Sequence, residues 1–95
     1  MEKSKLLHEA DDLIHGDRAK AYGPVEENWG LTASFWNGWL HGRGLLPPGK
    51  NLEPSDGTAM MVLAKLARES FRHKKDNLRD GCGYLALTDE LNGGR

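Results

Sequence analysis

The sequence has little of what staples small secreted proteins or builds metal centres. It holds one cysteine, Cys82, so no internal disulfide can form and no cysteine-based zinc site can be assembled. A reducing compartment, and with it a cytoplasmic location, is the simpler expectation. Long hydrophobic runs are also missing. The opening MEKSKLLHEADDLIHG mixes charge into every turn, so no signal peptide is expected there, and no later stretch is expected to span a membrane. An excess of one charge is lacking too. Thirteen Lys and Arg face fourteen Asp and Glu, for a formal net charge of −1. That balance removes the bulk electrostatic case for nucleic-acid binding and confines any positive site to local clustering.

What the chain does have is helical spacing. At 95 residues it is a normal size for one domain, read here as 1–95. A domain this small buries only roughly 60–65% of its surface, so its core is thin and association is a natural supplement. The apolar pattern predicts an all-α fold, a compact bundle of about four helices, with homo-oligomeric assembly. The first helix spans about 4–14, with Ser4 able to cap it, a stripe of Leu6, Leu7, Ala10, Leu13 and Ile14, and Gly16 as its stop. The second spans about 24–41. Pro24 suits a first helical position, and Glu26 and Glu27 favour the positive end of the helix dipole. Val25, Trp29, Ala33, Trp36 and Leu40 make its main stripe, widened by Phe35 and Trp39. Three tryptophans within eleven residues exceed what a thin monomer core needs. The Trp29, Trp36 and Trp39 helix is therefore the expected subunit interface or ligand wall.

Residues 42–54, punctuated by Gly, Pro and Asn, form a long connector that reads as a lid or interface element. The third helix, about 55–73, is capped by Ser55 or Asp56. Its AMMVLAKLA segment is apolar nearly all round, which predicts a central position. The fourth spans about 76–91, with a stripe of Tyr84, Leu87 and Leu91 running back onto Asp80 and Asp76.

The informative residues are the polar ones on apolar faces. Asn28, Lys65, Arg68, Asp76 and Asp80 all fall there, and a buried charge costs several kcal/mol unless paired. Two arrangements stay open. In the first they pair internally, Lys65 with Glu69, or Asp80 with Arg68 or Lys65. In the second Asn28, Lys65, Arg68, Asp80 and Tyr84 line a shared polar pocket, covered by the loop GDRAKAYG with its Arg18, Lys20 and Tyr22. The basic run RESFRHKKDNLR reads as a solvated turn or as a phosphate-attracting rim.

Tests for standard chemistry return little. There is no Walker loop and no dinucleotide fingerprint. The histidines, His8, His15, His41 and His73, lack zinc-ligand spacing. Ser34 and Ser70 lack an evident base. A magnesium site needs converging carboxylates, and only Asp76, Asp80 and Glu26 or Glu27 are candidates. Cations facing a pocket suit an anionic ligand better than a metal, so neither a catalytic residue nor a cofactor is expected.

The segments GDRAKAYGPVEENW, MMVLAKLAR and DNLRDGCGYLALTDEL together resemble a family of small phage and prophage helical proteins recorded as a domain of unknown function, itself loosely similar to the MazG-like all-α nucleoside triphosphate pyrophosphohydrolases. Arg18, Tyr22, Gly23, Asn28, Trp36, Lys65, Arg68, Asp80, Gly83 and Tyr84 carry the likeness, over roughly residues 12–91. The resemblance implies a phage setting.

The leading functional expectation is a phage protein that binds a nucleotide or cyclic nucleotide without turnover and sequesters a host defence signal. Arg18 and Lys20 would contact phosphate, Tyr22 or Tyr84 would stack on a base, Asn28 and Asp80 would read its polar edge, and Lys65 and Arg68 would neutralise charge. One alternative is a divergent magnesium-dependent pyrophosphohydrolase. Another is a protein inhibitor of a host system acting through the tryptophan helix.

Overall fold

The computed structural model describes residues 4–16 and 23–93. Arg18, Lys20 and Tyr22 lie outside the described residues. Within them the fold is all-helical, with no strand: α1 (Lys5–His15), α2 (Val25–Gly42), α3 (Pro54–Phe71) and α4 (Lys75–Leu91).

The helix ends follow local chemistry. Gly16 stops α1 at a close approach, because a Cβ there would lie 2.7 Å from the Asp12 carbonyl oxygen. Gly23 takes a left-handed backbone (φ 77°) and delivers the chain to Pro24, the cap residue of α2. The start of α3 departs from expectation. Neither Ser55 nor Asp56 is the cap. Glu53 is, with Pro54 in the first turn, and the Asp56 carboxylate accepts the Glu53 backbone N–H at 2.7 Å. The reciprocal Glu–Asp arrangement satisfies amide donors that Ser55 would otherwise have served.

The α3–α4 turn is tied by one side chain. Glu69 accepts the backbone N–H of Lys74 at 3.0 Å and the Asn77 amide at 3.2 Å, and it also bonds the His73 ring. The His73 contact, followed by the Lys74 amide, holds the Glu69 carboxyl below its usual range.

The helices pack as the expected all-α bundle, in an open arrangement. α3 and α4 form the main hairpin. α1 lies on α4, and α2 lies on α3 with a lighter contact to α4. Among the described residues α1 and α2 do not pack on each other. The radius of gyration, 14.7 Å, exceeds the roughly 12 Å of a compact chain this long. The apolar core is accordingly small: Ala10, Trp29 and Ala33 are the buried hydrophobic residues. Trp29 is its centre, edge-on to Trp36 at 6.1 Å and to Tyr84 at 6.0 Å between ring centroids. It seats against Gly57, where a Cβ would come within 3.1 Å of the indole.

AMMVLAKLA is not buried all round. Met60, Leu63 and Leu66 are exposed, because the helices that pack on α3, α2 and α4, do not cover them. The connector after α2 is no free lid either. Asn37 donates to the Leu52 carbonyl at 3.0 Å and accepts its N–H at 2.7 Å, while His41 and Asn51 side chains meet at 3.0 Å. These contacts fold the connector back onto the end of α2.

Candidate functional site

Because α1 and α2 stand apart over α4, a cleft opens between them. It has a volume of about 230 Å³. Leu13 and Ile14 of α1 form one wall, Val25, Asn28 and Trp29 of α2 the other, and Asp80, Gly83, Tyr84 and Leu87 of α4 the floor. The floor is close to α1 because Gly83 has no side chain. A Cβ there would lie 3.2 Å from Ile14 Cγ2. An ion pair, Lys75 Nζ to Glu9 Oε1 at 2.8 Å, holds α1 down on α4. That hydrogen bond from Lys75 also keeps the Glu9 carboxyl below its usual range.

Asp80 is the charged group of the floor. It is buried, and its Oδ2 lies 3.2 Å from Lys65 Nζ across the α3–α4 contact. Its Oδ1 faces Arg79, at 3.1 Å from one guanidinium NH2 and 3.2 Å from Nε. Two cations therefore compensate one carboxylate at the base of the cleft. Arg79 was not foreseen in this role. It also reaches the exposed Asp76 at 3.5 Å, one turn back. Between α3 and α4, Thr58 is fully buried and shares a hydrogen bond of 2.7 Å with Thr88, whose hydroxyl in turn donates to the Tyr84 carbonyl.

The residues singled out in the sequence divide between several places. Asn28, Asp80 and Tyr84 come together in the cleft. Lys65 sits behind Asp80 as its partner, and Gly81 packs over its stem, with a Cβ position 3.9 Å from Lys65 Cβ. Lys65 is not bridged to Glu69, which is engaged by the turn below. Arg68 is exposed and lines a more open depression with Phe71, Arg72, Lys74 and Asn77, apart from the cleft. Trp29 faces inward, Trp36 is half-buried, and Trp39 faces out, so the three tryptophans do not form one surface.

Asp76 and Asp80 do not converge. Asp76 is exposed, and Asp80 is engaged by Lys65 and Arg79. Among the described residues no three His, Cys, Asp or Glu side chains are grouped to hold a metal ion. No helix among them is long and apolar enough to cross a membrane.

Comparison with known proteins gives the family. The sequence pattern described as domain of unknown function (DUF6378) matches residues 5–92, and the chain belongs to this family. It is similar to the Gene 55 protein of Mycobacterium phage D29, 31% identical over 87 residues, which are 90% of this chain and 52% of that protein. It is equally similar to the Gene 55 protein of Mycobacterium phage L5, 32% identical over 88 residues, 90% of this chain and 51% of that protein. The chain thus spans about half the length of the curated relatives it matches. No solved structure matches it.

Proposed function

We propose that this member of the DUF6378 family binds the base of a nucleotide-type ligand in the cleft between α1, α2 and α4, and does not turn it over. The reading rests on one observation: an ion-paired, buried Asp80 and Asn28 line a single cleft together with Trp29, Tyr84 and aliphatic side chains. Apolar walls with a few convergent polar groups are the usual make-up of a small-molecule site. The cleft, at about 230 Å³, is smaller than the roughly 300–1,000 Å³ of sites for drug-sized ligands. It suits one ring system rather than a whole nucleotide.

In this reading Asp80 accepts from an amino or imino group of the base, Asn28 both donates and accepts, and an aromatic ring of the cleft offers a face or edge. Lys65 holds the Asp80 carboxylate in place, and Arg68 takes no part. Phosphate contact by Arg18 and Lys20, and stacking by Tyr22, rest on the sequence alone. Turnover by a magnesium-dependent pyrophosphohydrolase is the weaker reading, because Asp80 is committed to two cations and Asp76 stands apart from it. The relatives are phage proteins. Stoichiometric capture of a host signal nucleotide is a role that a binder without turnover can fill in that setting.

Calorimetry against nucleosides, nucleotides and cyclic nucleotides tests the proposal. Binding is expected to persist with chelator present and to be lost in Asn28→Ala. The absence of binding across the panel overturns it, as does release of pyrophosphate or nucleoside monophosphate at a steady rate.

A further inference from the structure

α2 carries a second pattern, on the side turned away from its own core. Glu27, Leu31, Phe35, Trp39 and Arg43 follow one another every four residues. That spacing is one continuous ridge along a helix, and such ridges set the commonest class of helix–helix packing. The ridge is apolar in the middle and charged at its ends, acidic at the start and basic at the finish. Its apolar residues are open: Leu31 is 61% exposed, Phe35 72% and Trp39 66%. The Arg43 guanidinium lies over the Trp39 ring at 5.9 Å. Among the described residues neither Glu27 nor Arg43 forms an ion pair.

The neighbouring row of the same helix is Gly30, Ser34, Gly38 and Gly42. An interior glycine costs a helix about 1 kcal/mol relative to alanine. Nothing among the described residues explains that cost here, since a Cβ at Gly30 or Gly38 would meet no atom within 4 Å. Small residues beside the ridge let a second helix come close alongside it.

We propose that this face of α2 binds the same face of a second copy of the chain, antiparallel, with the two-fold axis at Phe35. The charge pattern selects both the partner and the direction. Glu27 and Arg43 lie equally far from Phe35, about 12 Å along the axis at 1.5 Å per residue. A two-fold axis at Phe35 therefore sets Glu27 against the partner's Arg43 and Arg43 against the partner's Glu27, with Leu31 on the partner's Trp39. A parallel pairing would set like charges together at both ends. An isologous contact of this kind closes at two copies.

The area is of the right order. At their exposures, Phe35 and Trp39 alone leave on the order of 200–350 Å² per chain, taking roughly 150–250 Å² for each aromatic side chain. Doubled by symmetry, this supplies a third to a half of the roughly 1,200 Å² at which specific interfaces begin. Leu31, Glu27, Arg43 and the small row supply the rest. The inference stands apart from the cleft and narrows the expected tryptophan interface to Trp39, since Trp29 is committed to the core.

Sedimentation of the 95-residue chain across the micromolar range tests it. The chain is expected to sediment as a dimer, and Phe35→Glu as a monomer with an unchanged helical circular dichroism spectrum. Glu27→Arg and Arg43→Glu should each weaken dimerisation about tenfold, by turning two attractive pairs repulsive. The double variant should restore the original strength, because exchanging the charges preserves the pairing. These two positions are exposed, so the exchange remains readable even if Phe35→Glu disturbs folding. A monomeric native chain overturns the proposal, and so does a dimer that survives a folded Phe35→Glu. A double variant no stronger than the single ones overturns the antiparallel register.

Discussion

Lys65 of α3 and Asp80 of α4 meet at 3.2 Å with both side chains largely sheltered from water. The pair crosslinks the hairpin on which the other two helices rest, and it places a carboxylate at the floor of the cleft. Removing one partner of a buried pair strands the other charge, at a cost of roughly 3–5 kcal/mol where burial is complete. Arg79 softens that cost on one side only. In Lys65→Met, Asp80 keeps the Arg79 contact, and a loss of about 1–2 kcal/mol is expected. Asp80→Leu leaves Lys65 with no carboxylate and should cost more. The double variant should recover much of the difference in urea unfolding, since an apolar pair of similar volume needs no compensation.

Gly57 and Trp29 make the second prediction. Gly57→Ala improves helix propensity by about 1 kcal/mol. Its new methyl would stand 3.1 Å from two ring carbons of Trp29 and 3.4 Å from Trp36. Trp29 is held by Trp36 and Tyr84 and has little room to yield. Overpacking of this kind costs roughly 1–3 kcal/mol, so a net loss of about 1 kcal/mol is expected. A shift in tryptophan emission should accompany it, and a stabilised variant would show that α2 rides freely on α3.

Asn37 binds both backbone groups of Leu52. Asn37→Ala removes both hydrogen bonds and should cost about 1–2 kcal/mol. The connector between α2 and α3 should then become the first site of limited proteolysis, near Lys50. Unchanged cleavage kinetics would show that the connector is held by other contacts.

Acid sensitivity follows from two carboxyls. Glu9 is held low by its hydrogen bond from Lys75, and Glu69 by His73 and the Lys74 amide. Each has a native value below its unfolded value near 4.5. Their contribution is therefore complete above that pH and is lost as pH falls through the lowered native values. Urea melts at descending pH should show the loss, and the double variant Glu9→Gln, Glu69→Gln should show a flatter profile. An equal slope in that variant would assign the acid sensitivity to other groups.

Much of this was legible in the chain itself. The four helices, their approximate ends, the charge balance and the polar intrusions at Asn28, Lys65 and Asp80 are all local properties. Periodicity, glycine stops and proline starts act within a few residues, so they survive in one dimension. The pairing alternatives for Asp80 also came from the sequence, because a sheltered charge must be compensated by something.

Which alternative holds was a tertiary matter. Asp80 meets Lys65 and Arg79 rather than Arg68, because α3 presents Lys65 to α4 and turns Arg68 to solvent. The cleft was hidden as well. Leu13, Ile14 and Gly83 look like ordinary core positions until α1 and α2 are seen to stand apart over α4. Helical spacing says which residues share a face, and it does not say what covers that face. Hence Trp29 and Trp39, ten residues apart on one helix, could be counted together in the sequence and lie on opposite sides of the boundary in the fold, one against Gly57 and Tyr84, the other open to water.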